Sequence, residues 1–252
     1  MPLRTFFIRF AALVMMLCTP GGLVLSEQGG TVLITGANRG IGLALAEQFS
    51  RAGYDVIGTA RSPEKAAELK SLGVRVEQLD VTDQVSVNAM AERLDGVTID
   101  FLVNNAGIKG QEGDLADLDV NRMEVVLNVN TLGPLRVTQA LFDNVKASEH
   151  KVVANISSMM GSMEMNSWGC CLGYRASKSA LNSFTKTLSV DYADQGMVFV
   201  TLHPGYVQTD MNDGQGNITP AQSAEGLFRV ISGLKTSDNG HFYNYDGKEM
   251  PW

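Results

Sequence analysis

From residue 31 onward, short runs rich in β-branched residues alternate with longer stretches whose apolar positions recur at helical spacing. Residues 31–35 predict a buried strand, and 41–52 a helix that Gly53 closes. Residues 55–60 predict a second strand. Ser62 and Pro63 then suit the cap and first turn of a helix reaching about residue 72, with Gly73 as its stop. Strands follow at 74–79 and 99–103, separated by a helix to Leu94 that Thr82 or Asp83 can cap. A helical region spans 121–147, which Gly133-Pro134 should bend or interrupt. The remaining elements are a strand at 151–157, a long helix at 174–192, a strand at 198–202, a helix at 220–234 and a strand near 241–245. Such alternation demands parallel pairing with right-handed crossovers. The pattern therefore predicts an α/β fold: a doubly wound parallel sheet of about seven strands with helices on both faces.

Residues 1–28 do not follow this pattern. Arg4 and Arg9 precede an apolar run, Phe10 to Leu17, and small residues follow it. These are the parts of a secretory signal or anchor, too short to span a bilayer. The alternative is an apolar extension on a cytoplasmic protein. The expected division is thus a leader at 1–28 and one domain at 29–252, cytoplasmic unless residues 1–26 direct it to a secretory or membrane-associated location. Membrane contact is expected only through that leader.

The chain has 252 residues, 44% hydrophobic and 19% charged, which suits one large core rather than a disordered chain. Lys and Arg total 20 against 27 Asp and Glu, a net charge of -7 that excludes a nonspecific nucleic-acid binder. A phosphate-bearing ligand must therefore be met by local groups. The cysteines are Cys18, Cys170 and Cys171, and the adjacent pair cannot build an ordinary disulfide framework, so a reducing compartment fits.

The first predicted strand runs into Thr35-Gly36-Ala-Asn38-Arg39-Gly40-Ile41-Gly42, which opens a helix. Glycines let the backbone turn tightly against a pyrophosphate, and the helix N-terminus offers amides and a positive dipole end. Gly36, Asn38, Arg39, Gly40, Ile41 and Gly42 are the candidate contacts. A cation such as Arg39 in a first helical turn opposes the macrodipole, and a nearby phosphate would give it a reason to be there. After the second strand, where an acidic residue would accept the ribose hydroxyls of NAD, stands Gly58-Thr-Ala-Arg61. Arg61 with Arg39 favours NADP(H) over NAD(H).

Further along, Tyr174-Arg-Ala-Ser-Lys178 opens the long helix, and a spacing of four puts both side chains on one face. Ile156-Ser157-Ser158 ends the fifth strand, Asn104-Asn105-Ala106-Gly107 ends the fourth, and Asn130 lies between. The set resembles the classical short-chain dehydrogenase/reductase family over about residues 31–252. His203-Pro204-Gly205-Tyr-Val207-Gln-Thr209-Asp-Met211 and Tyr245 to Trp252 resemble its C-factor and carbonyl-reductase-like branch. The resemblance implies a Rossmann-type fold and a centre of Asn130, Ser158, Tyr174 and Lys178. An ammonium about 4 Å from a phenol stabilises its phenolate by about 4 kcal/mol at an effective dielectric of 20, enough to bring Tyr174 near neutrality. Tyr174 would then protonate a carbonyl oxygen while hydride reaches the carbon, and Ser158 would steady that oxygen. The resemblance further implies that Lys178 binds the nicotinamide ribose and Asn130 holds a water-linked path to it.

By the same resemblance Asp80 and Val81 meet the adenine, Asn104, Ala106 and Gly107 pass the ribose, and Pro204, Gly205, Val207 and Thr209 flank the carboxamide. Asp80 could equally serve as a helix cap. His203 reads as structural, and neither a metal-ligand cluster nor a hydrolase elbow is present in the sequence. The loops after strands four, five and six carry Ile108, Lys109, Met159, Met160, Met163, Met165, Trp168, Cys170, Cys171, Tyr206 and Met211. Methionine suits a permissive apolar pocket, although the same residues also fit ordinary packing beneath a long loop; on the pocket reading a small-molecule aldehyde or ketone, or the corresponding alcohol, is the expected substrate. The resemblance also implies pairing through long helices, as a homodimer or homotetramer. A noncatalytic cofactor-binding signalling protein on the same fold is the rival reading.

Overall fold

The computed structural model describes residues 29–110 and 115–252. The leader expected at 1–28, with Cys18, lies outside the described residues. In chain order the elements are β1 (Gly29–Ile34), α1 (Gly40–Arg51), β2 (Tyr54–Ala60), α2 (Ala67–Ser71), β3 (Arg75–Gln78), α3 (Gln84–Arg93) and β4 (Phe101–Asn104). They continue with α4 (Val120–Leu127), α5 (Gly133–Ala140), α6 (Phe142–Lys146), β5 (Val152–Ile156), α7 (Leu172–Asp191), β6 (Val198–His203), α8 (Pro220–Gly233) and β7 (Phe242–Asn244). The strands form one sheet in the order β3-β2-β1-β4-β5-β6-β7, every pair parallel. The expected doubly wound sheet is therefore present. Its order reverses between β1 and β4, and at such a switch point the carboxyl ends of the strands open a crevice for a ligand.

Each face of the sheet carries its own core. On one, Val32, Ile34, Val103, Ala154 and Val200 meet Leu45 and Phe49 of α1, Leu69 of α2 and Leu227 and Ile231 of α8. On the other, Leu33, Leu102, Val153 and Phe199 meet Val87 and Met90 of α3 and Val137 of α5. Toward the carboxyl ends this second face turns polar. Asn104 Nδ2 donates to Asn155 Oδ1 at 2.8 Å and to Thr138 Oγ1 at 3.1 Å, while Asn155 Nδ2 donates to Thr185 Oγ1 at 2.9 Å. The row fixes α5 and α7 across the strands that carry the candidate centre.

Two expected helices come out differently. The segment after Ser62 begins as a 3₁₀ turn, Pro63–Lys65, and Ser62 makes no side-chain cap bond. At Ala66 the backbone leaves helical geometry (φ -96°, ψ 52°), and only then does α2 start. The bend buries Ala66 and sets the methyls of Leu69 against Gly58, where a Cβ would stand 2.9 Å from both. The region 121–147 is interrupted before Gly133-Pro134, by a π turn over Asn128–Leu132, and breaks again at Leu141 between α5 and α6. Pro134 sits in the first turn of α5, where its missing N–H costs nothing.

Phe49 links α1 to the sheet and to α8: it is fully buried, edge-on to Tyr54 at 5.1 Å and to Phe228 at 4.9 Å. Phe49→Ala should lower unfolding stability by about 3–5 kcal/mol in denaturant titration. A loss below about 1 kcal/mol would show that this aromatic cluster does not anchor the core.

Candidate active site

Hydrogen bonds from both neighbouring strands fix the turn after β1. On the β2 side Gly36 N donates to Thr59 Oγ1 at 3.2 Å and Ala37 N to Thr59 O at 2.8 Å. On the β4 side Thr35 Oγ1 accepts from Asn105 N at 2.9 Å and Ala106 N at 3.0 Å, and Asn105 Nδ2 donates to Thr35 O at 2.9 Å. A Cβ on Gly42 would collide with Asn105 Nδ2 and the Gly36 carbonyl. Gly36 and Gly40 take φ of 65° and 57°, left-handed values that L side chains resist. Sequence reasoning named Asn104 and missed Asn105, although Asn104 turns into the polar row and Asn105 braces the turn. The signal was the doublet itself: two consecutive strand-end amides must face opposite ways.

The amides of Asn38, Gly40, Ile41 and Gly42 donate to no backbone carbonyl among the described residues. Unpaired donors at the N-terminus of a 12-residue helix fit a pyrophosphate. Arg39 and Arg61 do not meet at one point in this structure. Arg39 Nη1 lies 3.1 Å from Asp210 Oδ2, whereas Arg61 contributes its charge at Asp80. Burial would push the Asp80 carboxyl up, but hydrogen bonds from Thr82 and the Arg61 charge outweigh it and hold the carboxyl below its ordinary value. Asp80 thus orders the loop after β3, and Asp83 is the residue that caps α3. Val81 is buried against Gly133, and its carbonyl accepts from Arg136 Nη1 at 3.4 Å.

The four centre residues converge above β4 and β5. The π turn aims Asn130 inward, so that Nδ2 donates to Ile108 O at 2.9 Å and Oδ1 accepts from Ile108 N at 2.8 Å. π turns inside helices commonly mark functional sites, and no sequence pattern announced this one. Ser177 Oγ accepts from Asn130 Nδ2 at 3.1 Å, tying the π turn to α7. Gly107 faces the same point: a Cβ there would lie 3.3 Å from Asn130 Oδ1 and 3.8 Å from Lys178 Nζ. Ser157 is committed elsewhere, donating to Asn182 Oδ1 at 2.7 Å. Ser158 is the serine that hydrogen-bonds Tyr174.

The expected charge balance is corrected. Lys178 Nζ donates to the Ile156 carbonyl at 2.8 Å and stands 5.8 Å from the centre of the Tyr174 ring. Burial pushes Tyr174 up to about 12, against the opposing hydrogen bond from Ser158, and Cys171 adds to the rise. Burial alone brings Lys178 down to about 8. Counting the Coulomb attraction without desolvation gave the wrong direction for the phenol. Tyr174 keeps part of its surface open, while Lys178 is 4% exposed, so the lysine is the more fully desolvated of the two.

Around this centre Pro204 accepts from Ser223 Oγ at 2.6 Å, and Gly205, at φ 87°, passes Ile218 and Tyr245. Val207 is buried and pairs with Ile218. Thr209 lies beside the glycine turn, where a Cβ on Gly40 would be 3.6 Å from its methyl. His203 is buried, and burial brings it down to about 4, which agrees with a structural role. Met163, Trp168, Tyr206 and Met211 are exposed on the loops after β5 and β6, as is Leu172 at the start of α7. Sequence reasoning also missed Arg175. Its guanidinium lies 4.6 Å over the Trp168 ring, and Nε donates to Gly169 O at 2.8 Å. It is a cation in a first helical turn, the same signal that singled out Arg39. Among the described residues no helix is long and apolar enough to cross a membrane, and no cluster of metal-ligating side chains occurs.

Residues 30–218 match the family model for short chain dehydrogenase. The chain is 41% identical to the C-signal protein of Myxococcus xanthus over 154 residues, which is 61% of this chain and 93% of that one. Among solved structures, the NADPH-bound carbonyl reductase from chicken fatty liver is 35% identical with a TM-score of 0.82, covering 88% of this chain and 98% of its own. The carbonyl reductase Sniffer of D. melanogaster is 31% identical with a TM-score of 0.83, covering 88% and 99%.

Burying Lys178 as an ammonium costs stability. Its folded pKa, about 8, lies below its ordinary value of 10.5, so between those limits the unfolded chain binds more protons and stability rises with pH. Lys178→Met should therefore gain on the order of 3 kcal/mol at pH 7, less the lost bond to Ile156, and should flatten that rise. Denaturant unfolding at pH 7 and pH 9.5 reads both effects. Equal slopes for wild type and variant would mean that the ammonium is not a strained buried charge.

Proposed function

The chain belongs to the short chain dehydrogenase family, and from that premise and the geometry of its centre we propose that it is an NADPH-dependent carbonyl reductase. The observation that carries this reading is the convergence of Ser158, Tyr174, Lys178 and Asn130 beside a turn whose amides await a pyrophosphate. Bound against this turn, NADPH would supply a hydride for the carbonyl carbon of an aldehyde or ketone. Tyr174 gives its proton to the carbonyl oxygen, and Ser158 donates a hydrogen bond to that oxygen as its charge develops. Raised to about 12, the phenol is protonated at neutral pH, the form a proton donor requires. The Lys178 ammonium stabilises the phenolate left behind, and Asn130, clamped to Ile108, holds a water through which the proton is replaced.

Gly36 to Gly42 bind the pyrophosphate, with Gly36 and Gly40 supplying the turn and Asn38, Ile41 and Gly42 the amides. Asp80 and Val81 border the adenine, Ala106 and Gly107 the ribose, and Pro204, Gly205, Val207 and Thr209 the carboxamide. Asn104 supports these groups from the polar row. Arg61 takes the 2′-phosphate and is joined by Arg39, since no acidic residue ends β2 to claim the ribose hydroxyls. The related chicken enzyme is NADPH-bound, which supports the same cofactor here. Exposed Met163, Trp168, Tyr206 and Met211 suit a bulky apolar carbonyl compound. A binding-only protein has no need of the intact proton-transfer centre.

Purified protein should oxidise NADPH, and NADH far more slowly, with a panel of apolar aldehydes and ketones. Tyr174→Phe should cut kcat by roughly 10²–10⁴ while leaving the NADPH dissociation constant near wild type. Arg61→Asp should shift preference toward NADH. Tight NADPH binding with no turnover across the whole panel would favour the binding-only protein.

A further inference from the structure

Arg39 and Asp210 are 171 residues apart, yet Arg39 Nη1 and Asp210 Oδ2 stand 3.1 Å from each other. Arg39 precedes α1, on the turn after β1, and Asp210 lies on the loop after β6. Three strand spacings separate β1 from β6 in the sheet, about 14 Å. The pair therefore spans the crevice above β4 and β5. It is made where a cation is otherwise out of place: α1 has no acidic residue in its first turn and no side-chain cap, so the positive end of the helix and the guanidinium face each other uncompensated. Asp210 supplies the anion.

The rest of the Asp210 loop is bonded to itself. Asn212 Nδ2 donates to Val207 O and Gln215 O, Gly214 N to Thr209 O, and Gln208 N to Ile218 O. Such a loop moves as a unit. Both members of the ion pair are more than two-thirds exposed, 70% and 79% for the side chains, and so the pair is weak and exchangeable. A dianionic phosphate, with three acceptor oxygens, outcompetes one carboxylate for a guanidinium.

We infer that Asp210 is a specificity-determining residue for the cofactor: its carboxylate holds Arg39 toward the loop after β6, and the 2′-phosphate of NADP(H) must draw it from there, so that binding requires the exchange. This rests on the NADP(H) reading above. Any Arg39 already claimed by Asp210 lowers the apparent affinity for the phosphorylated nucleotide by the fraction so engaged. NADH, which lacks the 2′-phosphate, does not need the exchange. Asp210 thus trims the preference for NADP(H).

The test is nucleotide binding without turnover. Dissociation constants for NADPH and NADH are measured by fluorescence for wild type, Asp210→Asn, Asp210→Glu, Arg39→Gln and the double variant Arg39→Gln/Asp210→Asn, at low salt and in 0.5 M salt. Asp210→Asn should tighten NADPH binding by up to about fivefold at low salt and leave NADH unchanged. The gain should shrink at high salt, Asp210→Glu should bind as wild type does, and Asp210→Asn should do nothing once Arg39 is gone. Unchanged or weaker NADPH binding by Asp210→Asn, an equal gain for both nucleotides, or the same gain without Arg39 each overturns the inference. A wild type that binds neither nucleotide sinks the cofactor reading and the inference together. Wild-type binding with an unaltered Asp210→Asn sinks the inference alone.

Discussion

Lys178 is a buried ammonium whose one hydrogen bond runs to the carbonyl of Ile156, and the crevice is shaped around keeping it there. A charge in that position gains little from the sheet and loses most of its hydration. The surrounding backbone has to come close enough to enclose it. Gly161 does so from the loop after β5, where a Cβ would stand 3.0 Å from the lysine's own Cβ, and Gly107 does so from the loop after β4. The π turn belongs to the same requirement. Widening α4 by one residue carries Asn130 toward Ile108 and away from the regular helical face, so an amide rather than an apolar side chain borders the ammonium. The centre is thus bought with stability, in keeping with proteins that hold strained groups where chemistry is done.

The carboxyl ends of β4, β5 and β6 are polar on one face only. Asn104, Asn155 and Thr201 are cross-strand neighbours, and the opposite face is filled by Val103, Ala154 and Val200. Parallel strands buried on both faces normally read as continuous apolar runs, so these positions weaken the sheet unless the helices above answer them. While Thr201 Oγ1 and His203 Nδ1 stay buried without a partner among the described residues, Thr138 from α5 and Thr185 and Asn182 from α7 answer Asn104, Asn155 and Ser157. Their bonds fix the rotation of α7 about its axis, and with it the direction in which Tyr174 and Lys178 point.

Much of this was readable from residue order. Alternating runs gave the strands and their parallel pairing, and a spacing of four put Tyr174 and Lys178 on one helical face. The glycine turn needed only its place between strand and helix. What escaped was everything decided by tertiary contact. The bend at Ala66 follows from Leu69 seeking Gly58, which no local propensity encodes. Asn105 and Asn104 are interchangeable as letters, and only the pleat assigns one to the turn and the other to the core. The phenol moved opposite to expectation because charge attraction is visible in a motif and burial is not.

The two halves of the crevice are held by different means. On the nucleotide side, short bonds from Thr59 and Asn105 lock the turn through its backbone, leaving its outer amides exposed. On the substrate side, long side chains do the holding: Arg175 gathers Gly169, Cys170 and Trp168, and Asn212 closes the loop after β6 on itself. Backbone locks fix one geometry, whereas contacts through long side chains leave a surface that adjusts. A rigid cofactor of constant shape suits the first, and the range of apolar carbonyl compounds we propose as substrates suits the second. The Arg39–Asp210 pair ties those halves together, and its weakness is what allows a fixed turn and an adaptable loop to answer to one another.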